Sequence, residues 1–230
     1  MKEYSVISLD GPAGSGKSTL AAMLAAKLGY IHADSGAIYR TLTLRAMESL
    51  GTGGDHEEFG RMFRDKRDGL DFTDIRIDIR DGAQVNLIRG EDVGGRIRTP
   101  EVTSRIRYIA DDRGCREEVN ALLRGFSERA SLVVDGRDIG SVVFPDTPYK
   151  FYVEASVRVR AGRRRQDFEK QGKSVPLAEI EADIARRDEE DRSRPYGALR
   201  IPDGAILIDT SLLGINDALG RLLCILQIQF

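Results

Sequence analysis

Gly11-Pro12-Ala13-Gly14-Ser15-Gly16-Lys17-Ser18 fits the spacing GxxxxGK[ST], and it falls between a short apolar run, Val6 to Leu9, and a helical run, Thr19 to Leu28. A strand, a glycine-rich loop and a helix start in that order form a phosphate cradle. The glycines let successive backbone N–H groups turn toward phosphate oxygens, and the helix N-terminus adds partial positive charge at the same point. The whole stretch from Gly11 to Thr19 is therefore the expected ATP-binding segment, with Lys17 bridging the terminal phosphates and the Ser18 hydroxyl as a Mg²⁺ ligand. No Asn-Lys-x-Asp guanine box accompanies it, and the DxxG of Asp111 to Gly114 sits in a helical region, so a GTPase switch is not favoured. A kinase for a small acceptor fits best.

The elements that must hold this cradle are visible as further short apolar runs. Leu132 to Val134, Phe151 to Val153 and Ala205 to Ile208 join Val6 to Leu9 as buried parallel strands separated by helices. The expected fold class is α/β, a doubly wound parallel sheet of about five strands around the P-loop. Ile75, Ile77 and Ile79 alternate with Arg76, Asp78 and Arg80 ahead of Asp81-Gly82, which reads as an antiparallel hairpin outside that sheet. The expected organisation is one domain over 1–230, with an inserted hairpin subdomain at 60–97 and a second, charge-rich helical segment at 155–195. Thr99-Pro100-Glu101 supplies an N-cap, a first-turn proline and an acid, predicting a helix to about Asp111. The tail from Leu212 to Phe230 reads as a closing amphipathic helix with Ile215, Leu219, Leu222 and Leu226 on one stripe.

Composition narrows the partners. Of 230 residues, 41% are hydrophobic and 31% charged, and Lys+Arg 35 against Asp+Glu 37 leaves a net charge of -2. No overall positive field exists to gather a nucleic acid. The two cysteines, Cys115 and Cys224, are far apart, and Met1-Lys2-Glu3-Tyr4 leads straight into a strand without a signal-peptide core. We therefore expect a cytoplasmic, membrane-free, monomeric chain. His32 and His56 lack a second ligand at metal spacing and read as structural or exposed.

Three stretches carry a specific resemblance: Leu9 to Thr19; Asp34-Ser35-Gly36-Ala37-Ile38-Tyr39-Arg40; and Asp135-Gly136-Arg137-Asp138-Ile139-Gly140 with its continuation to Asp146. In this order they resemble the bacterial cytidylate kinase family, and the resemblance covers nearly the whole chain. It implies transfer of the ATP γ-phosphoryl group to CMP or dCMP, with Mg²⁺. By resemblance, Ser35, Arg40, Arg137 and Arg194 hold the acceptor phosphate, Arg187 and Asp191 its sugar, and Arg116 and Asp138 its base. Lys17, Arg137, Arg160 and Arg164 are the implied catalytic cations, with Arg160, Arg163 and Arg164 matching the arginines of the family's lid. The sequence departs from the family at Arg107, where a serine is expected, so either Ser104 takes over or the base is read differently. A kinase for UMP or another small acceptor, and a nucleotide-binding module without turnover, remain the alternatives.

Apart from resemblance, Ile180, Ile184, Arg187, Asp191 and Arg194 share one helical stripe, apolar at its start and charged at its end. Such a face starts in a core and ends at a polar cleft. The attacking group implied here is an anionic phosphate oxygen, so the chemistry asks for arginines and a divalent cation rather than a general base.

Overall fold

The computed structural model describes residues 5–51 and 55–229. The chain divides into two compact units: the chain up to His32 together with Ser131 onward, and Ala33–Ala130.

The first unit is built on a parallel sheet. The strands of this sheet are β1 (Val6–Asp10), β2 (Ile31–Asp34, at which the chain passes into the second unit), β6 (Leu132–Gly136), β7 (Tyr149–Glu154) and β8 (Ile206–Asp209), in the spatial order β2-β6-β1-β7-β8. Central β1 lies parallel to β6 on one side and to β7 on the other, in registers that align Asp10 with Gly136 and with Tyr152. The strand ends are thereby set level, and the loops that follow them open on the same edge. One face of the sheet is closed by α1 (Lys17–Leu28) and α8 (Ile215–Gln229). Leu20 and Leu24 of α1 and Leu219, Leu222 and Leu226 of α8 pack there on Ile7, Leu9, Val133 and Phe151. Ile215 leaves the expected stripe: it is 39% exposed, and Ala218 takes the inward place.

Helices α6 (Val157–Lys170) and α7 (Leu177–Ser193) follow β7 and share a small core of Ala161, Ile180 and Ile184. Ser156 caps α6 through Val159 N, as a serine at that position should.

The second unit holds α2 (Ser35–Leu50), α3 (His56–Lys66), an antiparallel sheet of β3 (Ile75–Arg80), β4 (Ala83–Ile88) and β5 (Glu91–Asp92), then α4 (Pro100–Asp111) and α5 (Arg113–Ser127). The hairpin turns through Asp81 at φ 51 and Gly82 at φ 73, the left-handed pair that an Asp-Gly turn provides. Helix α4 starts at Pro100 behind the Thr99 cap and ends at Asp111, matching the expected span. The unit reaches from Ala33 to Ala130, so it takes in α2, α4 and α5 besides the segment 60–97. Among the described residues no helix is long and apolar enough to cross a membrane.

Candidate active site

The loop between β1 and α1 is shaped by glycines that no other residue can replace. Gly11 stands at φ 152, where a Cβ would come within 2.0 Å of Val153 O, and Gly16 caps α1 at φ 92. Lys17 is only 6% exposed, and its ammonium donates to Pro12 O at 3.1 Å. Burial first, then the nearby Arg137, lower its pKa to about 7. The lysine is thus held over its own loop with its charge disfavoured even though Asp135 and Asp191 stand near.

Behind the loop, the Ser18 hydroxyl donates to Asp135 Oδ2 at 2.5 Å, and His32 Nε2 meets Asp135 Oδ1 at 2.7 Å. Burial opposes the Asp135 charge, but the His32 hydrogen bond and the charge of Lys17 prevail and hold its carboxyl below the usual carboxylate range. A hydroxyl and an ionised carboxylate side by side are hard oxygen donors, the kind Mg²⁺ takes alongside substrate phosphates and waters. No group of three or more His, Cys, Asp or Glu residues that could enclose a metal occurs among the described residues. Ser18 and Asp135 fit a metal that arrives on a nucleotide.

Asp10, at the end of β1, is fully buried and accepts from Ile139 N and Gly140 N, both at 2.8 Å. These bonds anchor the segment that carries Arg137 and Asp138. Desolvation nevertheless raises its pKa to about 7. The folded chain therefore binds this proton more tightly than the unfolded chain, and the stability it contributes fades as pH rises from about 4 to 7. Asp10→Asn has no such proton to lose. The stability advantage of wild type over Asp10→Asn should shrink between pH 5 and 7, by up to about 1.4 kcal/mol per pH unit, and level off above. Urea melts across that range check this; a constant gap would place the Asp10 titration elsewhere.

The arginines of α6 separate into distinct roles. Arg160 and Asp188 are each 3% exposed in their side chains; the guanidinium meets the carboxylate at 2.6 and 3.0 Å and donates to Ala13 O at 3.1 Å. Arg163 turns to the loop, donating to Ser15 O at 3.2 Å and to Thr210 O at 2.8 Å. Thr210 Oγ1 also donates to Ser15 O, at 2.9 Å. A cavity of about 400 Å³ opens beside them, lined by Thr19, Arg163, Thr210, Leu213, Ile215 and Ala218 among others. Arg164 lies instead 5.6 Å over the Phe168 ring and 3.8 Å from Asp183, between α6 and α7.

On α7 the expected stripe runs from Ile180 and Ile184 to Asp191, and Arg194 lies one residue past the end of the helix at Ser193. Asp191 is 6% exposed and is held by Arg137 Nε at 2.8 Å and by Arg194 Nη2 at 3.0 Å. Arg187 is close enough to depress Lys17 and to favour the Asp191 carboxylate. The first unit therefore brings Lys17, Arg137, Arg187, Asp191 and Arg194 into one electrostatic neighbourhood. Asp138, in the same unit, is 3% exposed.

Ser35, Arg40 and Arg116 belong to the second unit. Asp34 caps α2 through Ala37 N at 2.9 Å, which sets Ser35 in the first turn. Arg40 folds back over Gly36, where a Cβ would come within 3.0 Å of its Nη1. Arg116 is 2% exposed, donates to Ala110 O at 2.9 Å and lies 5.3 Å over the Tyr39 ring. Ser104 turns its hydroxyl to Glu101 O on its own helix, and exposed Arg107 stacks on Tyr108.

Asp135, Asp188 and Thr210 had no assigned part in the sequence reading, and His32, read there as structural or exposed, pairs with Asp135. Asp188 was within reach of it, since offset eight from Ile180 lies on the same helical face as the offset seven of Arg187. The others rest on pairing between distant strands.

A phosphate loop on a parallel α/β sheet, its lysine crowded by guanidinium groups, defines a P-loop phosphotransferase. The cytidylate kinase profile matches residues 7–227, and the chain belongs to the cytidylate kinase family. The cytidylate kinase of Lactobacillus johnsonii is 37% identical over 221 residues, spanning 96% of this chain and 93% of its own. That of Caldicellulosiruptor bescii is 35% identical over 217 residues, spanning 94% and 93%. That of Bacillus cereus is 35% identical over 223 residues, spanning 96% and 95%.

Proposed function

We propose that this chain transfers the γ-phosphoryl group of ATP to CMP or dCMP, releasing ADP and CDP or dCDP. The observation that carries the reading is the gathering of Arg137, Arg187 and Arg194 around Asp191 with Lys17 near, a cationic excess suited to a second phosphate. The acceptor phosphate oxygen is already anionic, so it forms the new O–P bond without giving up a proton, while the bond from the γ-phosphorus to the ADP oxygen breaks. Lys17 leaves Pro12 O to follow the charge as it shifts between donor and acceptor. Ser18 and Asp135 would hold Mg²⁺, which when bound supplies positive charge to the phosphate oxygens.

On the acceptor side, Ser35, Arg40, Arg137 and Arg194 take the phosphate, Arg187 and Asp191 the sugar, and Arg116 and Asp138 the base. The apolar-walled cavity beside Thr19 and Thr210 suits the adenine of ATP. Arg163 and Arg160 tie α6 to the loop through Ser15 O and Ala13 O. For Arg164 to reach the transferring group it must leave Phe168 and Asp183, which makes α6 and α7 the moving lid of this reading. The setting we propose is a monomer in the cytoplasm, without nucleic-acid or membrane partners.

A coupled assay of ADP formation with CMP, dCMP, UMP and AMP as acceptors tests the assignment. CMP and dCMP should exceed the other two by at least about 10-fold in kcat/KM, a floor well below the roughly 10⁴-fold that a site built to hydrogen-bond its substrate can reach. UMP or AMP outrunning CMP would overturn the roles of Arg116 and Asp138 while leaving the kinase chemistry in place.

A further inference from the structure

We infer that His32 is a positioning residue for the divalent cation, acting through Asp135 on the Ser18 hydroxyl. The inference rests on the nucleotide-and-metal half of the proposed function and is independent of the acceptor.

The argument starts from what an ionised carboxylate can do. Asp135 only accepts hydrogen bonds, so His32 and Ser18 must both donate: His32 through Nε2–H to Oδ1, and Ser18 through O–H to Oδ2. With its proton committed to Asp135, the Ser18 oxygen keeps its lone pairs for a cation. That commitment lasts only while Oδ2 stays where it is. A carboxylate held at one oxygen alone can swing about its Cβ–Cγ bond, a broad and weakly restrained torsion. The bond from His32 holds the second oxygen against that swing. The support comes from β2, which lies beside β6 in the sheet, so the two halves of the clamp stand on adjacent strands rather than on the phosphate loop.

Packing does not explain the histidine. Its side chain is 26% exposed, while the Asp135 it meets is 5% exposed. A β-branched residue would suit this strand better if filling space were the only demand. The polar ring is placed against a buried carboxylate that also binds the phosphate-loop hydroxyl.

Residues that orient metal ligands in this indirect way typically change metal affinity by about 10–100-fold when lost. The test uses the full chain, a non-hydrolysable imido analogue of ATP and calorimetric titration with and without Mg²⁺, with no acceptor present. His32→Phe keeps a ring and removes the donor; His32→Gln keeps an amide donor near the Nε2 position. His32→Phe should lose about 10-fold of the affinity that Mg²⁺ adds, with metal-free affinity unchanged within about 2-fold. His32→Gln should retain most of the Mg²⁺ gain. Should His32→Phe melt below the assay temperature, His32→Ala, which brings no ring to misfit, replaces it in the comparison.

Equal Mg²⁺ gains in wild type and the donor-free variant would overturn the role of His32 alone. A loss that is the same with and without Mg²⁺ would make His32 a prop for the loop and also overturn it, as would His32→Gln performing no better than His32→Phe. A wild-type chain with no Mg²⁺ gain at all would overturn both this inference and the metal assignment. Failure of CMP in the acceptor assay touches neither.

Discussion

Lys17→Met slows CMP-dependent ADP formation by on the order of 10³-fold and leaves the fold as stable as wild type or more so. The two effects share one origin. Lys17 is 6% exposed with its ammonium resting on Pro12 O, so the folded chain bears the desolvation of a cation that only a polyphosphate fully compensates. Methionine keeps the length and apolar stem and removes the charge. The sign with pH follows from a pKa lowered from 10.5 to about 7. The unfolded chain binds this proton more tightly, so the wild-type penalty is complete below about pH 7 and fades as pH rises toward 10.5. The melting temperature of Lys17→Met should therefore stand highest relative to wild type at about pH 7 and below, and the gap should largely close by pH 10. A structural lysine would behave the other way, with activity and melting temperature falling together. An activity loss below 10-fold, or one matched by a fall in melting temperature, would remove Lys17 from the chemistry.

The parts of this molecule that could be read from the chain are those whose cause is local. The phosphate loop is written in contiguous residues because backbone shape dictates each glycine, and the span Pro100–Asp111 follows from a cap three residues long. The hairpin was legible because alternation and an Asp-Gly turn coincide. Strand β2 lacks such a signal: Ile31-His32-Ala33-Asp34 is short and half polar, and only its place beside β6 makes it a strand. The arginines show the same limit more sharply. Their abundance on α6 is obvious, yet nothing in the spacing tells Arg160, locked on an aspartate 28 residues away, from Arg164, stacked on a phenylalanine four residues on. The choice depends on how α6 meets α7, which is a packing outcome. His32 and Asp135, 103 residues apart, meet only through the strand order.

Breaking the Arg160–Asp188 pair should give the largest loss of stability of any single change at the site. Both side chains are 3% exposed, and Asp188 is met by two guanidinium nitrogens at 2.6 and 3.0 Å. Asp188→Ala leaves a buried guanidinium without its anion, a change that costs about 3–5 kcal/mol. For a chain of this length that is a fall of about 10 °C in melting temperature. Replacing both partners at once, Arg160→Met with Asp188→Leu, removes the stranded charge and lets the small core of Ala161, Ile180 and Ile184 extend, so most of the lost stability should return. Turnover should not return with it. The same guanidinium donates to Ala13 O and Ala155 O, so it fastens the phosphate loop to the start of α6, and methionine cannot make either bond. The double variant is therefore expected to melt near wild type yet to turn over about 10-fold or more slowly, the range typical of displaced groups at a reacting centre. Calorimetric melts and the coupled ADP assay on the two single variants and the pair separate these effects. A double variant with full turnover would reduce Arg160 to a core ion pair, and an Asp188→Ala melt within about 1 °C of wild type would mean the pair is not holding α6 to α7.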